Sequence, residues 1–311
     1  MTLTLPSFAK LNLVLEVLGK RPDGYHEIRT LLQTISLADE LSFAEIEDGD
    51  IEIICSDGAL PCDETNLAHR AAKALRDFTG IDKGVRIEIK KRIPVAGGLG
   101  GGSSNAAVTL IALQRLWGVR LATGDLLNIG SKLGADVPFF FMGGTCVGIG
   151  KGDEVYPLED FESDFLLLVN AGIPLPTAQV YANLPARLTN PIATAKMPLS
   201  LEAAYANTRS GAPGLRLHND LEISAFALHP LLAEIKKRLT DSGARDVLMS
   251  GSGSTVFAIF DSETARSSAL NDLKTDQKDL KDQKDQDANG WWCAPARTLS
   301  RRQYQELIID N

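Results

Sequence analysis

The chain is short of the residues that build staples and metal centres. Its four cysteines, Cys55, Cys62, Cys146 and Cys293, form no C-x-x-C pair. A disulfide framework is therefore not expected, and free thiols in a cytoplasmic protein are. His69, His218 and His229 lack metal-ligand spacing and no H-E-x-x-H occurs, so no protein-held metal is expected. Long apolar runs are missing too. Phe139–Met142 is far below membrane-span length. The opening MTLTLPSFAKLNLVLEV has no basic leader and is interrupted by Lys10, Asn12 and Glu16, so no signal peptide is expected there. Positive charge is in deficit, with 32 Lys and Arg against 40 Asp and Glu, a net charge of -8. That balance argues against nucleic acid as a partner. An anionic nucleotide stays within reach, provided backbone N–H groups and a few placed cations hold it.

What is present reads as globular and enzymatic. The 311 residues are 44% hydrophobic and 23% charged, and that length suits two domains. A polar stretch at Pro157–Ser163 sets the expected boundary, giving domains 1–157 and 158–311. Leu11, Leu13, Leu15 and Val17 alternate with Lys10, Asn12, Val14 and Glu16, a period-two strand with Lys10 and Asn12 on the face away from the leucines. Arg21-Pro22-Asp23-Gly24 is a turn, with Tyr25 and His26 directly after it. Helices are expected over Thr65–Gly80, with Leu67, Ala71, Ala74, Leu75 and Phe78 inward, over a buried Ser103–Trp117, and over Asp125–Leu133. Later come a strand at Phe165–Asn170, helices at Leu221–Leu228 and Leu231–Leu239, and a strand–loop–strand at Asp246–Phe260. Lys274–Ala288 is nearly devoid of apolar residues and reads as a solvated insertion that does not order itself.

The most informative segment is Pro94-Val95-Ala96-Gly97-Gly98-Leu99-Gly100-Gly101-Gly102-Ser103-Ser104-Asn105, between a strand and a buried helix. Glycines let backbone approach a ligand closely, and the unpaired N–H groups of a helix start favour an anion such as phosphate. A flexible glycine turn with a serine cap is the bland alternative. The loop is not a Walker A loop, because Ser103 rather than lysine follows Gly102. It lacks the third glycine of a dinucleotide fingerprint, and no G-x-S-x-G nucleophile elbow is present.

P-x-x-G-G-L-G-G-G-S-S-N-A-A resembles the ATP motif of the GHMP kinase superfamily. Ala9-Lys10-Leu11-Asn12, Arg21-Pro-Asp-Gly-Tyr-His26, Gly134-Ala-Asp136-Val-Pro-Phe139, Asn219-Asp-Leu221 and Ser250-Gly-Ser-Gly-Ser-Thr255 extend the likeness over nearly the whole chain. Together they point to the superfamily's cytidyl-substrate branch. The resemblance implies a two-domain α+β GHMP kinase fold with its active site in the inter-domain cleft. It also implies ATP as phosphoryl donor, Mg²⁺ carried by the nucleotide, and a small-molecule cytidyl alcohol as acceptor. It calls for no nucleic acid, membrane or obligate protein partner. A homoserine- or mevalonate-type kinase, or a non-catalytic nucleotide-binding regulator, are the rival readings.

Residue by residue, the resemblance implies Asp136 as general base with Lys10 as its partner. It places ATP against Asn66 and the run Pro94 to Ser104, and the cytosine against Tyr25 and His26. Asn12, Thr177 and the Ser250–Gly253 loop (Ser250, Gly251, Ser252, Gly253) fall on the substrate side. Tyr181 stands where the family often has phenylalanine, as a second aromatic wall. Read without the resemblance, Asp136 and Asn66 serve equally as helix caps, Lys10 as an edge-strand lysine, Tyr25 and Tyr181 as packed tyrosines, His26 as a surface histidine, and Ser250–Thr255 as a β-turn.

Overall fold

A computed structural model describes residues 2–47, 49–58, 60–190, 217–282 and 291–309. Two very long strands organise it. β1 (Thr2–Lys20) and β2 (His26–Ile46) pair antiparallel through the Arg21–Tyr25 turn, where Asp23 accepts the Tyr25 N–H at 3.1 Å. β3 (Ile51–Cys55) and β4 (Gly84–Lys90) extend the sheet beyond β2. β5 (Thr145–Ile149) pairs with β2, β6 (Glu154–Pro157) with β5, and the two-residue β8 (His218–Asn219) runs parallel to β1. The second sheet has the order β11-β7-β10-β9, from β7 (Leu166–Asn170), β9 (Asp246–Met249), β10 (Thr255–Ile259) and β11 (Trp292–Ala296).

The period-two reading of β1 separates its faces, yet both are buried. Leu11 and Leu13 pack with Leu166, Leu168 and Phe257 of the second sheet, while Lys10 and Asn12 are each 3% exposed. The reason is packing: the second sheet covers the leucines, while the Gly98 and Ser250 loops close over Lys10 and Asn12.

Helices α1 (Leu67–Thr79) and α2 (Gly101–Leu116) cover the first sheet. α1 closes at Gly80, whose φ of 70° suits glycine. Its buried stripe is centred on Ala68, Ala71, Ala72 and Leu75. Phe78, expected inward, lies at the edge of that stripe and is 51% exposed. α2 starts at Gly101, earlier than expected, and every residue from Ser104 to Leu113 is buried. α3 (Thr123–Leu133) leads through Gly134–Asp136 into the single turn α4 (Phe139–Met142). The second half adds α5 (Thr177–Ala182), α6 (Ala186–Thr189), α7 (Glu222–Leu228), α8 (Pro230–Asp241, with proline in its first turn) and α9 (Glu263–Asp282).

α9 corrects the reading of Lys274–Ala288 in part. Lys274–Asp282 is helical, continuing a helix whose Ala269 and Leu273 are anchored in the second core; 283–288 lie outside the described residues. Lysine, aspartate and glutamine tolerate a helix that has already been nucleated by buried turns. The C-terminal α10 (Arg301–Ile308) returns to the first core, where Tyr304 and Ile308 are fully buried. Among the described residues no helix is long and apolar enough to cross a membrane.

Candidate active site

Two chambers meet at the glycine loop. One, about 490 Å³, is lined by Leu60, Pro61, Thr65, Asn66, Leu67, Lys91 and the loop from Pro94 to Ser103. The other, about 710 Å³, holds Lys10, Asn12, Tyr25, His26, Asp136, Tyr181 and Gly251–Gly253. Ala96, Gly98, Gly100, Ser103 and Thr177 belong to both walls.

The loop is shaped by contacts with both halves of the chain. Gly98 has φ +75°, and a Cβ there would stand 2.1 Å from the Ser250 carbonyl oxygen. Its own carbonyl accepts from Lys10 Nζ and Ser250 Oγ, each at 2.9 Å. Thr255 N donates to the Gly97 carbonyl at 3.2 Å and Lys10 N to that of Leu99 at 3.0 Å. Ala96 takes φ +54°, a conformation rarely adopted by a non-glycine residue, on the wall common to both chambers. Gly100 caps α2, so the first N–H groups of the helix have no intrahelical partner and carry the positive end of its dipole.

Lys10 Nζ lies 3.6 Å from Asp136 Oδ2 and donates to Asn12 Oδ1 at 2.5 Å. Asn12 is held in turn by donating to Thr30 Oγ1 at 2.7 Å. Lys10 is buried while Asp136 is 35% exposed, leaving one carboxylate edge open to the chamber. Thr177 and Ser252 share a hydroxyl–hydroxyl hydrogen bond of 2.9 Å across the cleft.

The aromatic end of the larger chamber is also assembled. The His26 and Tyr181 rings stack at 4.8 Å with 28° between planes, and His26 Nε2 is buried with no hydrogen-bond partner among the described residues. Burial, helped by Lys20, holds the imidazole below its ordinary pKa, so it is neutral near pH 7. Burial, and then the Asp136 carboxylate, pushes the Tyr181 phenol up. Tyr25 is 61% exposed, with Lys151 Nζ 5.2 Å above its ring.

Most of the expected residues thus line one or other chamber. Two do not. Ser104 is buried and accepts from Ser7 Oγ at 2.8 Å, and Ser250 is buried as the clamp on Gly98. Asn66 lines the smaller chamber but spends its amide on local structure, with Oδ1 capping α1 and Nδ2 donating to the Pro61 carbonyl. Sequence reasoning missed Lys20, Lys91 and Lys151 on the walls, and Asp39 beneath the loop. Only the pairing of β2 with β4 and β5 brings Asp39, Lys91 and Lys151 to the site; no local motif signals it.

The family described as GHMP kinases N terminal domain matches residues 66–144, and GHMP kinases C terminal matches 201–279. The chain is 46% identical to the 4-diphosphocytidyl-2-C-methyl-D-erythritol kinase of Syntrophotalea carbinolica, over 85% of this chain and 91% of that protein. A crystal structure of 4-(cytidine 5'-diphospho)-2C-methyl-D-erythritol kinase superposes with a TM-score of 0.75 at 32% identity, covering 96% of this chain and 100% of the other. A homoserine kinase from Cytophaga hutchinsonii shares the fold, with a TM-score of 0.67 at 18% identity over 96% of this chain and 95% of that one.

Proposed function

The chain belongs to the 4-diphosphocytidyl-2-C-methyl-D-erythritol kinase family of GHMP kinases, and from that premise we propose the reaction and the residues that carry it. The enzyme transfers the terminal phosphoryl group of ATP to the 2-hydroxyl of 4-diphosphocytidyl-2-C-methyl-D-erythritol. This is a step in the methylerythritol phosphate route to isoprenoid precursors, carried out in the cytoplasm on a small-molecule substrate. Residues 1–157 supply most of one domain and 158–311 most of the other, with β8 and α10 crossing back to the first sheet and its core.

The observation that carries this reading is the Lys10–Asp136 pair, 3.6 Å apart, beside the wall common to both chambers. ATP occupies the smaller chamber, its phosphates against the N–H groups of Gly100–Ser103 and the start of α2. The cytidyl alcohol occupies the larger, its base between Tyr25 and Tyr181 with His26 at the base edge. Asp136 accepts the proton of the attacking hydroxyl, and the Lys10 ammonium, 3.6 Å away, orients that carboxylate and offsets charge as the phosphoryl group moves. Thr177 and Ser252 flank the reacting centre. Ser103, on the wall common to both chambers, would offer a hydroxyl oxygen to Mg²⁺ carried by the nucleotide's phosphates. When bound, the ion neutralises phosphate charge.

Purified protein given ATP and the cytidyl alcohol should release ADP at a rate that depends on the alcohol. ATP consumption supported equally by homoserine or mevalonate, or no consumption at all, would overturn the assignment.

A further inference from the structure

Beneath the glycine loop lies a buried polar cluster that the reaction described above does not use. Asp39 sits in β2 directly opposite Ser7 of β1, and its side chain is fully buried. One carboxylate oxygen accepts from two successive backbone amides, Arg92 N and Ile93 N, each at 2.8 Å. The other accepts from Lys91 Nζ at 2.6 Å. With its amide turned so that the NH₂ faces acceptors, Asn105 shares its two N–H donors among that same oxygen at 3.1 Å, Ser7 Oγ at 2.7 Å and the Gly101 carbonyl at 3.0 Å. Ser7 Oγ in turn donates to Ser104 Oγ at 2.8 Å. The Lys91 ammonium stands against Gly101, where a Cβ would be 2.9 Å away.

The partners of Asp39 fall on both sides of the loop. Lys91–Ile93 are the residues that lead into it, and Gly101, Ser104 and Asn105 are the first turn and a half of α2, into which it runs. Burying a carboxylate is costly unless its lone pairs are satisfied, and this one is satisfied by groups that bracket the loop. A segment with five glycines among Gly97–Gly102 loses more backbone entropy on ordering than any other composition. Fixing its two ends before the ligand arrives removes part of that cost from binding.

We propose that Asp39 is a positioning residue for the phosphate loop: it ties Arg92 and Ile93 to the start of α2 and so pre-forms the cradle for the nucleotide's phosphates. It touches neither substrate. The proposal rests on the kinase reading above for the identity of the ligand. Its effect is selective, because His26 lies 13 residues from Asp39 along β2 and Tyr181 lies on α5, both outside the hydrogen-bonded cluster around Asp39.

The test is Asp39→Asn, with affinity for a non-hydrolysable ATP analogue measured by calorimetry in the absence of acceptor, alongside KM for both substrates. Nucleotide affinity and KM for ATP should weaken by about tenfold or more, while KM for the cytidyl alcohol stays within about twofold. Nucleotide affinity unchanged beside a lowered Tm would mean a purely structural role, and an equal rise in both KM values would remove the selectivity; either result overturns the proposal. Should Asp39→Asn fail to fold, Ser7→Ala removes one hydroxyl of the same cluster and should give a smaller loss confined to the nucleotide. Unchanged nucleotide affinity in Ser7→Ala then overturns it. Nucleotide binding without acceptor-dependent turnover in the wild type would sink the kinase reading while leaving this test intact.

Discussion

Lys10 Nζ and Asp136 Oδ2 stand 3.6 Å apart although 126 positions of sequence separate them, and the lysine simultaneously donates to the Gly98 carbonyl of the glycine loop. One ammonium therefore touches both the proposed base and the proposed phosphate cradle. Asp136→Asn keeps the shape and removes the proton acceptor. Turnover should fall by about 10²- to 10⁴-fold with affinity for both substrates retained, as read by steady-state kinetics and calorimetry. Turnover near the wild-type level would remove Asp136 from the base role.

The stacked His26–Tyr181 pair leads to a second expectation. Tyr181→Ala should raise KM for the cytidyl alcohol about tenfold and leave KM for ATP within about twofold, since an aromatic face contributes roughly 1–3 kcal/mol to stacking on a base. Tyr181→Phe keeps the ring and should behave as the wild type. A parallel rise for both substrates in Tyr181→Ala would mean that the ring supports the cleft as a whole.

His26 and His69 both have pKa values held below the ordinary 6.5, chiefly by burial. The unfolded chain therefore binds more protons than the folded one between those depressed values and 6.5. Stability from this source is complete above 6.5 and is lost as pH falls towards the folded-state values. Urea denaturation from pH 7.5 down to pH 5 should show that decline, and the double variant His26→Gln, His69→Gln should flatten it. An undiminished slope in the variant would assign the decline to other groups.

Gly98 tests the loop itself. Its φ of +75° and the Ser250 carbonyl, 2.1 Å from a hypothetical Cβ, leave no room for a side chain. Gly98→Ala should cost about 3 kcal/mol from left-handed strain and overpacking, and should separate the two loops. Tm and nucleotide affinity should both fall. A variant as stable as the wild type would show that the Gly98–Ser250 approach is not needed.

Much of this fold was legible in local pattern. The long alternation of β1, the close of α1 at Gly80, and the buried run Ser104–Leu113 all follow from side-chain periodicity and glycine stereochemistry. The glycine loop was legible for the same reason, since few other sequences tolerate that backbone. Local pattern misplaced Phe78, because periodicity marks an apolar stripe without telling where its centre faces. It also misread Lys274–Asp282, because composition alone does not reveal that the preceding turns are anchored by Ala269 and Leu273.

By itself, the sequence determined that a phosphate-binding turn precedes a buried helix and that Lys10, Asp136, Tyr25 and His26 are candidates for chemistry. Tertiary structure decided which of these meet. It brought Ser250 onto Gly98, Tyr181 onto His26, and Asp39 under the loop through Lys91 and Asn105. The division has a physical origin: backbone conformation answers to near neighbours in the chain. A buried ion pair or ring stack depends instead on strand register and sheet packing, set by contacts across the whole molecule.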